Sequence, residues 1–198
     1  MSQFKIPWDT PDQWAEINRT FDHLLRRRHA DMKPARDIAG QIESRMADLF
    51  PLMSELCRYT CPECREPCCR VATLWYNFQD LLFLHLTEQA VPESQPLRRF
   101  QEPCRYLGPR GCILDRMTRP WICTWYICPP QTARLRKMGR IRRQETEAAM
   151  DEIKALRHAM EETFIDILFS WGTADGKRIG AGIKNRKSKR ARITGRPR

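Results

Sequence analysis

Eight of the nine cysteines in this chain fall into two groups of four. The first group is compact and the second is widely spaced: Cys61, Cys64, Cys68 and Cys69, then Cys104, Cys112, Cys123 and Cys128. Thiolates bind zinc and iron, and a two-residue gap lets two sulfur atoms reach one ion from a tight turn. The spacing therefore predicts that all eight residues are metal ligands.

The number of metal sites is left open by the spacing. Cys68 and Cys69 are adjacent, and neighbouring side chains usually point apart, which suits separate metals or opposite corners of one cluster. Two groups of four thiols satisfy two tetrahedral zinc sites, a four-iron cluster plus a zinc, or a larger iron cluster. The cofactor prediction is therefore zinc or an iron–sulfur cluster.

Several arginines lie within a few positions of the predicted ligands. Four thiolates around a divalent ion leave a net charge of about −2, which a dry site must offset. Seven arginines are placed in the sequence to do so: Arg58, Arg65, Arg70, Arg105, Arg110, Arg116 and Arg119. The simpler interpretation of any one of them is a solvated surface charge.

Three further residues have side chains that could take part in a metal site, but each has a simpler structural interpretation. Cys57 ends a helical pattern and is expected to be a small buried apolar residue rather than a ligand. His85 lies in an apolar segment and is expected to be a hydrogen-bonded core histidine. Asp115 follows Cys112 by three residues and is expected to cap a turn rather than orient a ligand.

Helical patterns precede the cysteines. A Thr10-Pro11 start signal predicts a first helix, in which apolar residues recur at helical spacing as far as Leu25. A second amphipathic pattern runs from Ile38 to Leu56, and Pro51 is expected to kink it. These segments should form a helical region that packs against the cysteine-bearing segment.

The central and final segments differ in character. Residues 73–88 are apolar on most faces, which predicts a buried third helix. The stretch between Gln89 and Pro130 contains six prolines and little periodicity, so it should form loops and turns held by ligands. A last helix is expected from about Gln144 to Trp171, with a stop at Gly172.

Together these elements predict a mostly α protein: a single helical domain around a loop-rich, cysteine-based metal-binding core. Its expected parts are an N-terminal helical region over residues 1–56, the core over 57–130, a C-terminal helix over 131–172, and a disordered basic tail over 173–198. The metal should be partly structural, because the proline-rich segment has little other reason to stay ordered.

The cellular compartment is predicted from the first residues and from hydropathy. The start of the chain, MSQFKIPWDT, lacks the features of a secretory signal, and no apolar run approaches the roughly 18 residues of a membrane span. We therefore expect a cytoplasmic protein without a membrane segment. Cytoplasmic thiols are kept reduced, so clustered cysteines there are more often metal ligands than disulfides.

The net charge of +11 is concentrated in short segments. Ten of the eleven excess positive charges lie from Lys177 to Arg198, and six basic residues lie from Arg134 to Arg143. Residues 134–143 and 177–198 are therefore candidates for weak nucleic-acid contact of low sequence specificity, through release of counterions. The tail lacks aromatic side chains that would stack on bases, which limits this interpretation.

The cysteine pattern resembles the CxxCxxCC family of small proteins, often called YkgJ-like and described as zinc- or iron-chelating. Beyond the eight cysteines, the resemblance within residues 61–128 rests on Leu107, Gly111, Ile113, Arg119 and Pro120. The chain departs from the family in having three residues between Cys64 and Cys68, and Thr124 where an arginine is common. The resemblance implies metal or iron–sulfur binding and leaves the biological role open.

Two classes of function follow from these observations. In the first, the protein stores, delivers or senses zinc or iron, or holds a cluster as a scaffold. In the second, it is an enzyme that uses an iron–sulfur cluster for electron transfer or as a Lewis acid. Flagellin lysine N-methylases are similar around their cysteine cluster, but this chain has no glycine-rich loop for S-adenosylmethionine. A hydrolase has no support, because neither a P-loop nor a nucleophile elbow is present.

Overall fold

A computed structural model describes residues 5–62, 64–96, 102–109 and 111–191, with residues 172–191 described by their backbone alone. The described chain is mostly helical, as the sequence predicts. In chain order its elements are α1 (Pro11–Arg27), α2 (Lys33–Thr60), α3 (Cys68–Val71), α4 (Phe78–Leu86), β1 (Leu107–Gly108), β2 (Gly111–Cys112), α5 (Ile122–Trp125), α6 (Pro129–Lys137) and α7 (Arg140–Ala191).

Helix α1 begins where the sequence predicts. The Thr10 hydroxyl accepts a hydrogen bond from the backbone N–H of Gln13 at 3.3 Å, and Pro11 occupies the first turn. This cap satisfies one of the backbone donors that a helix start leaves unpaired. The buried face of α1 then packs on α4, where the rings of Phe21 and Phe78 lie 5.6 Å apart.

The most extensive helix contact joins α2 and α7. Ala39 and Ile42 of α2 and Ile153 and Met160 of α7 are completely buried. Apolar residues at helical spacing on both elements produce this interface. Helix α2 continues through Pro51 to Thr60 and so delivers its last turn to the cysteine region.

The third predicted helix is shorter than the 73–88 span expected, because its start is fixed by a capping box. The Asn77 side chain accepts from the Asp80 N–H at 2.9 Å, and the Asp80 carboxylate accepts from the Asn77 N–H at 3.0 Å. Both bonds hold the residues before Phe78 in an extended conformation. The helix itself is buried from Asp80 to Leu86, as its apolar sequence indicates.

Helix α7 begins earlier and ends later than the predicted 144–171 span. A turn at Gly139, whose φ is 104°, separates it from α6, and glycine adopts this conformation without steric cost. The backbone stays helical through Gly172, because one glycine costs only about 1 kcal/mol of helix propensity. The last residues of the predicted tail, 192–198, lie outside the described chain.

The segment between Gln89 and Pro130 is mostly irregular, as predicted, with a small antiparallel ribbon and the single turn of α5. In the ribbon, Leu107 lies opposite Cys112, and Gly108 lies opposite Gly111. Helix α6 follows directly and was not predicted. Within the described ranges, no helix has the length and apolar character required to cross a bilayer.

Candidate metal centre

Four cysteines from three chain segments gather around a small apolar cluster beside the main core. Cys104 is itself buried in this cluster with Ile6, Leu74 and Tyr106. Three further thiol residues pack against it: Cys69, Cys112 and Cys123. We call these four cysteines the inner thiol group. The structure therefore joins one member of the first sequence group to three members of the second.

Backbone contacts hold the inner thiol group in place. The Cys104 N–H donates to the Cys69 carbonyl at 2.7 Å, which ties the two sequence groups together directly. Cys112 lies in β2, and the Cys123 N–H donates to the Pro120 carbonyl at 2.9 Å as α5 begins. These contacts therefore fix the backbone positions of the cysteines and leave their side chains free to rotate.

Burial makes the inner thiols hard to ionise without a partner. Removal from water raises the pKa of Cys104 and of Cys123, and the neighbouring cysteines raise both further. The pKa of Cys69 is raised first by its hydrogen bond with the Cys68 thiol, then by burial. A bound cation would reverse this preference, because it stabilises several thiolates at once.

A second set of thiols lies at the end of α2. The Cys61 N–H donates to the Cys57 carbonyl at 2.9 Å, so the two side chains lie on one face of the helix. The neighbouring Cys61 thiol is the main reason that the pKa of Cys57 falls to about 5, and the Arg116 guanidinium lowers it further. The interaction with Cys57 and then burial raise the pKa of Cys61, and the charge of Cys68 raises it further.

Cys128 is linked to this second set through the first turn of α6. Its backbone N–H donates to the side-chain oxygen of Gln131 at 3.2 Å. The Gln131 amide nitrogen donates to the Cys57 sulfur at 3.5 Å. We call Cys57, Cys61, Cys68 and Cys128 the outer thiol group.

The adjacent cysteines connect the two groups. Cys68 and Cys69 begin the short helix α3, and their thiols are hydrogen-bonded to each other. This interaction is the largest of the contributions that lower the pKa of Cys68 to about 6. The charge of Cys68 acts on Cys57 and Cys61 of the outer group and also on Cys104 and Cys123 of the inner group. Cys69 packs with the inner group.

Cys64 is the predicted ligand that remains apart. Its backbone N–H donates to the Cys61 carbonyl at 3.2 Å, but its thiol forms no hydrogen bond with any residue that the structure describes. Its side chain is half-buried. The remaining seven predicted ligands all belong to one of the two thiol groups.

The cysteines are gathered but not arranged as a closed coordination sphere. Within the described chain, no three His, Cys, Asp or Glu side chains are positioned together to hold one ion. The chemistry of the donors nevertheless fits a thiophilic metal, because the neighbouring donors are almost all sulfur. Binding would require the cysteine side chains to rotate toward a common point.

The sequence predicts structural roles for His85, Asp115 and Cys57, and the structure confirms the first two. His85 is confirmed as a hydrogen-bonded core histidine, with Nδ1 at 3.1 Å from Asp22 and Nε2 at 2.9 Å from Asn18. Asp115 is confirmed as a turn cap, since its carboxylate accepts from the Met117 N–H at 2.8 Å. Cys57 differs from expectation: it is half-buried and makes polar contacts with sulfur and nitrogen partners.

The arginines near the cysteines divide into two kinds. Arg116 acts on Cys57 and Arg105 acts on Cys104, so these two lie where they offset thiolate charge. Arg119 instead donates to the Leu114 carbonyl at 2.9 and 3.1 Å and holds the loop. Three others are exposed: Arg58, Arg65 and Arg70. Arg110 lies outside the described residues.

Two contacts, one buried and one partly buried, dock the cysteine-bearing loop on the helices. The Tyr76 hydroxyl donates to the Thr118 carbonyl at 2.7 Å. The Trp121 N–H donates to the Asp80 carboxylate at 3.0 Å, just before Cys123. These contacts attach the loop to the main core independently of any bound ion.

The site is a cysteine cluster beside the end of α2, in which Cys104 is buried while Cys61 and Cys68 are exposed. Comparisons with protein-family models, curated proteins and solved structures give no match to this chain. The likeness to the YkgJ-like family therefore rests on the cysteine pattern between residues 61 and 128.

Proposed function

We propose that this is a metal-binding protein, which holds zinc or an iron–sulfur cluster through its clustered cysteines as a chelator, carrier or cluster scaffold. More particularly, we propose that it is of the YkgJ-like CxxCxxCC type. The observation that carries the proposal is the gathering of seven predicted ligands into two adjoining thiol groups, although they come from distant parts of the chain.

Several features of the thiol groups support binding of a thiophilic cation. Buried thiols with raised pKa values, such as Cys104 and Cys123, are poor thiolates by themselves and become good ligands when a cation compensates their charge. Arg105 and Arg116 supply additional positive charge beside the sulfur atoms. N–H donors directed at sulfur are typical of the surroundings of metal–thiolate centres.

The enzyme alternative requires an iron–sulfur cluster with one iron free to bind a substrate. A binding protein instead predicts complete thiolate coordination and no open position. The two proposals therefore differ in the identity and the exposure of the metal. Both are accessible to spectroscopy of the purified protein.

The test is an ultraviolet–visible spectrum and elemental analysis of protein purified without oxygen. We expect either about one or two zinc ions per chain in a colourless protein, or iron and labile sulfide in a brown one. An iron–sulfur chromophore that is redox-active and binds small ligands would favour the enzyme alternative. A folded chain that purifies with neither metal, and takes up neither during reconstitution, would contradict metal binding.

A second candidate function, weak binding of nucleic acid, is favoured by one feature of the α6–α7 turn. Arg136, Arg140 and Arg143 line a shallow cavity of about 260 Å³ together with Gly139. Close by, the guanidinium of Arg134 lies 3.6 Å from the centre of the Tyr59 ring. Three guanidinium groups around one depression would attract phosphate, whatever the base sequence.

Binding of single-stranded RNA at several salt concentrations tests this second function. Replacing both Arg136 and Arg140 with alanine should weaken binding and reduce the slope of log K against log salt by about 0.7 for each phosphate that is no longer neutralised. A control replaces the exposed Arg19 and Arg26 of α1. Equal weakening in both double variants would indicate dependence on net charge rather than on this cavity.

A further inference from the structure

The stretch from Arg116 to Gln144, which includes all of α6, contains no acidic residue. It carries eight basic ones: Arg116, Arg119, Arg134, Arg136, Lys137, Arg140, Arg142 and Arg143. Four of these are exposed around the α6–α7 turn, namely Arg136, Lys137, Arg140 and Arg142. A basic segment of this length without carboxylates attracts a polyanion along its whole surface.

The acidic residues that approach this stretch come from outside it and are few. Glu55 lies 3.7 Å from Arg134, Glu145 lies 3.8 Å from Arg142, and Glu147 lies 3.7 Å from Arg143. Among the ion pairs of the described chain, none includes Arg136, Lys137 or Arg140. The positive charge at the end of α6 therefore remains available to a ligand.

Two exposed aromatic side chains lie within the same stretch, just before α6. Trp125 and Tyr126 are 44% and 46% exposed. Their ring centres are 6.2 Å apart and their planes are inclined at 81°, an edge-to-face arrangement. Because the rings do not lie flat on each other, ring surface stays open to a planar ligand.

A third exposed aromatic side chain reaches α6 from the end of α2. Tyr59 is 51% exposed, and the Arg134 guanidinium lies 3.6 Å from the centre of its ring. Arg58 lies 4.7 Å from the same ring centre and donates to the Tyr59 hydroxyl at 3.1 Å. Guanidinium planes and aromatic rings both stack on nucleic-acid bases. This contact thus combines a stacking surface with positive charge.

Helix α6 brings these features within reach of one short strand. Its nine residues span only about 13 Å. Trp125 and Tyr126 precede its first turn, and the arginine-lined cavity at Gly139 follows its last. Exposed aromatic rings beside basic groups match a single strand, in which unpaired bases alternate with phosphates. An acidic protein would match the charge but has no comparable use for the rings.

We infer that the ligand of this region is single-stranded nucleic acid. Its bases stack on the rings of Trp125, Tyr126 and Tyr59, while its phosphates contact the arginines of the α6–α7 turn. This inference rests on the second function proposed above, nucleic-acid binding, and adds that unpaired bases contribute to it. It does not depend on whether the cysteines hold a metal.

The principal experiment measures binding of two labelled strands of equal length to the full chain at one salt concentration. One is oligothymidylate and the other is the same backbone without bases, so the two differ in stacking and share their phosphates. The double variant Trp125→Ala/Tyr126→Ala should bind oligothymidylate about 5- to 150-fold more weakly, the range for loss of one stacked base. Its affinity for the abasic strand should equal that of the wild type.

Two matched variants complete this comparison. Phe169→Ala removes an exposed aromatic side chain of α7 outside the acid-free stretch and should change neither affinity. Arg136→Ala/Arg140→Ala should weaken binding of both strands by a similar factor, because the phosphates are common to them. Circular dichroism verifies that each variant is folded.

A further variant keeps the test informative if Trp125→Ala/Tyr126→Ala does not fold. Tyr59→Leu changes an exposed position of α2, outside the cysteine-bearing loop, and replaces the ring with an apolar side chain. It should also weaken binding of oligothymidylate and leave binding of the abasic strand unchanged.

The outcomes separate this inference from the function on which it rests. If the wild type binds the two strands equally, the region is a general polyanion site and the inference is wrong, although nucleic-acid binding stands. If oligothymidylate binds more tightly but the aromatic variants keep this preference, the bases stack elsewhere and the assignment is wrong. If neither strand binds, the inference and the second proposed function both fail.

Discussion

Arg157 and Asp80 form a buried ion pair in which Nη2 lies 2.6 Å from Oδ1, with only 2% and 5% of the two side chains exposed. The same Asp80 oxygen accepts from the Trp121 N–H, and the other accepts from the Asn77 N–H. One carboxylate therefore joins α7, the start of α4 and the loop that leads to Cys123. The aspartate satisfies a buried cation and two backbone donors simultaneously.

Removal of one partner from this pair should be strongly destabilising. We expect Asp80→Asn to lower the free energy of unfolding by about 3–5 kcal/mol, because the Arg157 charge stays buried without compensation. Urea denaturation measures the decrease. The matched control is Arg45→Ala, which breaks the exposed 2.9 Å contact with Glu152 and should cost less than about 1 kcal/mol. Equal decreases in the two variants would contradict the assigned role.

The individual cysteines should contribute unequally to metal binding. Cys104→Ser should reduce the metal content of the purified protein, because Cys104 is the buried centre of the inner thiol group. Cys64→Ser should retain most of the metal, because the Cys64 thiol has no described hydrogen bond to either thiol group. Elemental analysis of the two proteins provides the comparison. The opposite ranking would mean that the ligand set differs from the two thiol groups.

Metal removal should loosen the loop region more than the helical core. Chelation of the metal is expected to increase amide hydrogen exchange over residues 102–128, because this segment has little regular structure of its own. The α2–α7 interface should remain protected, since its apolar residues pack without the cysteines. Hydrogen-exchange mass spectrometry follows both regions in one sample. Unchanged exchange in the loop would show that bound metal is not structural.

The buried His85 should make stability depend on pH. Burial lowers the pKa of His85 below its usual value of about 6.5, despite the opposing effect of Asp22. Between the lowered pKa and 6.5 the unfolded chain binds more protons than the folded chain, so stability rises with pH. The stabilisation is complete above about pH 6.5 and is lost as the pH falls through the lowered pKa.

His85→Gln tests this dependence by comparison with the wild type. The difference in unfolding free energy between the two proteins should be largest above about pH 6.5 and should shrink in more acidic solution. The control is His23→Gln on the exposed face of α1. If the difference in unfolding free energy grew on acidification, the pKa of His85 would be raised rather than lowered in the folded protein.

Deletion of residues 177–198 should leave metal content and stability unchanged. The described packing of α7 against the rest of the chain ends at Trp171, which packs against the main core and also lies beneath the Arg28 guanidinium. Elemental analysis and thermal unfolding compare the shortened and full chains. A decrease in metal content on deletion would show that the basic tail contributes to the site.

The sequence predicted those helices whose start and buried face depend on residues close together in the chain. The Thr10 cap and the apolar face of α7 are examples, since each follows from residues within a few turns. The start of α4 follows from the Asn77–Asp80 capping box, which is also local and recognisable in the sequence. Prediction of helices therefore succeeded where the cap and the periodicity agreed.

The grouping of the cysteines depends on contacts between distant segments and was only partly predictable. The spacing identified thiols of suitable chemistry but could not pair Cys69 with Cys104, whose backbones meet through the folded loop. The contact between Gln131 and Cys57 is equally remote in sequence. A local signal for Cys57 did exist, because it precedes Cys61 by one helical turn.

A single peptide bond separates the two thiol groups, because Cys68 belongs to one and Cys69 to the other. A backbone displacement that draws one of these sulfur atoms toward an ion must also move its neighbour. The two thiol groups are therefore mechanically linked. Under the proposed metal-binding function, loading of one group would bias the affinity of the other by the same factor in both directions.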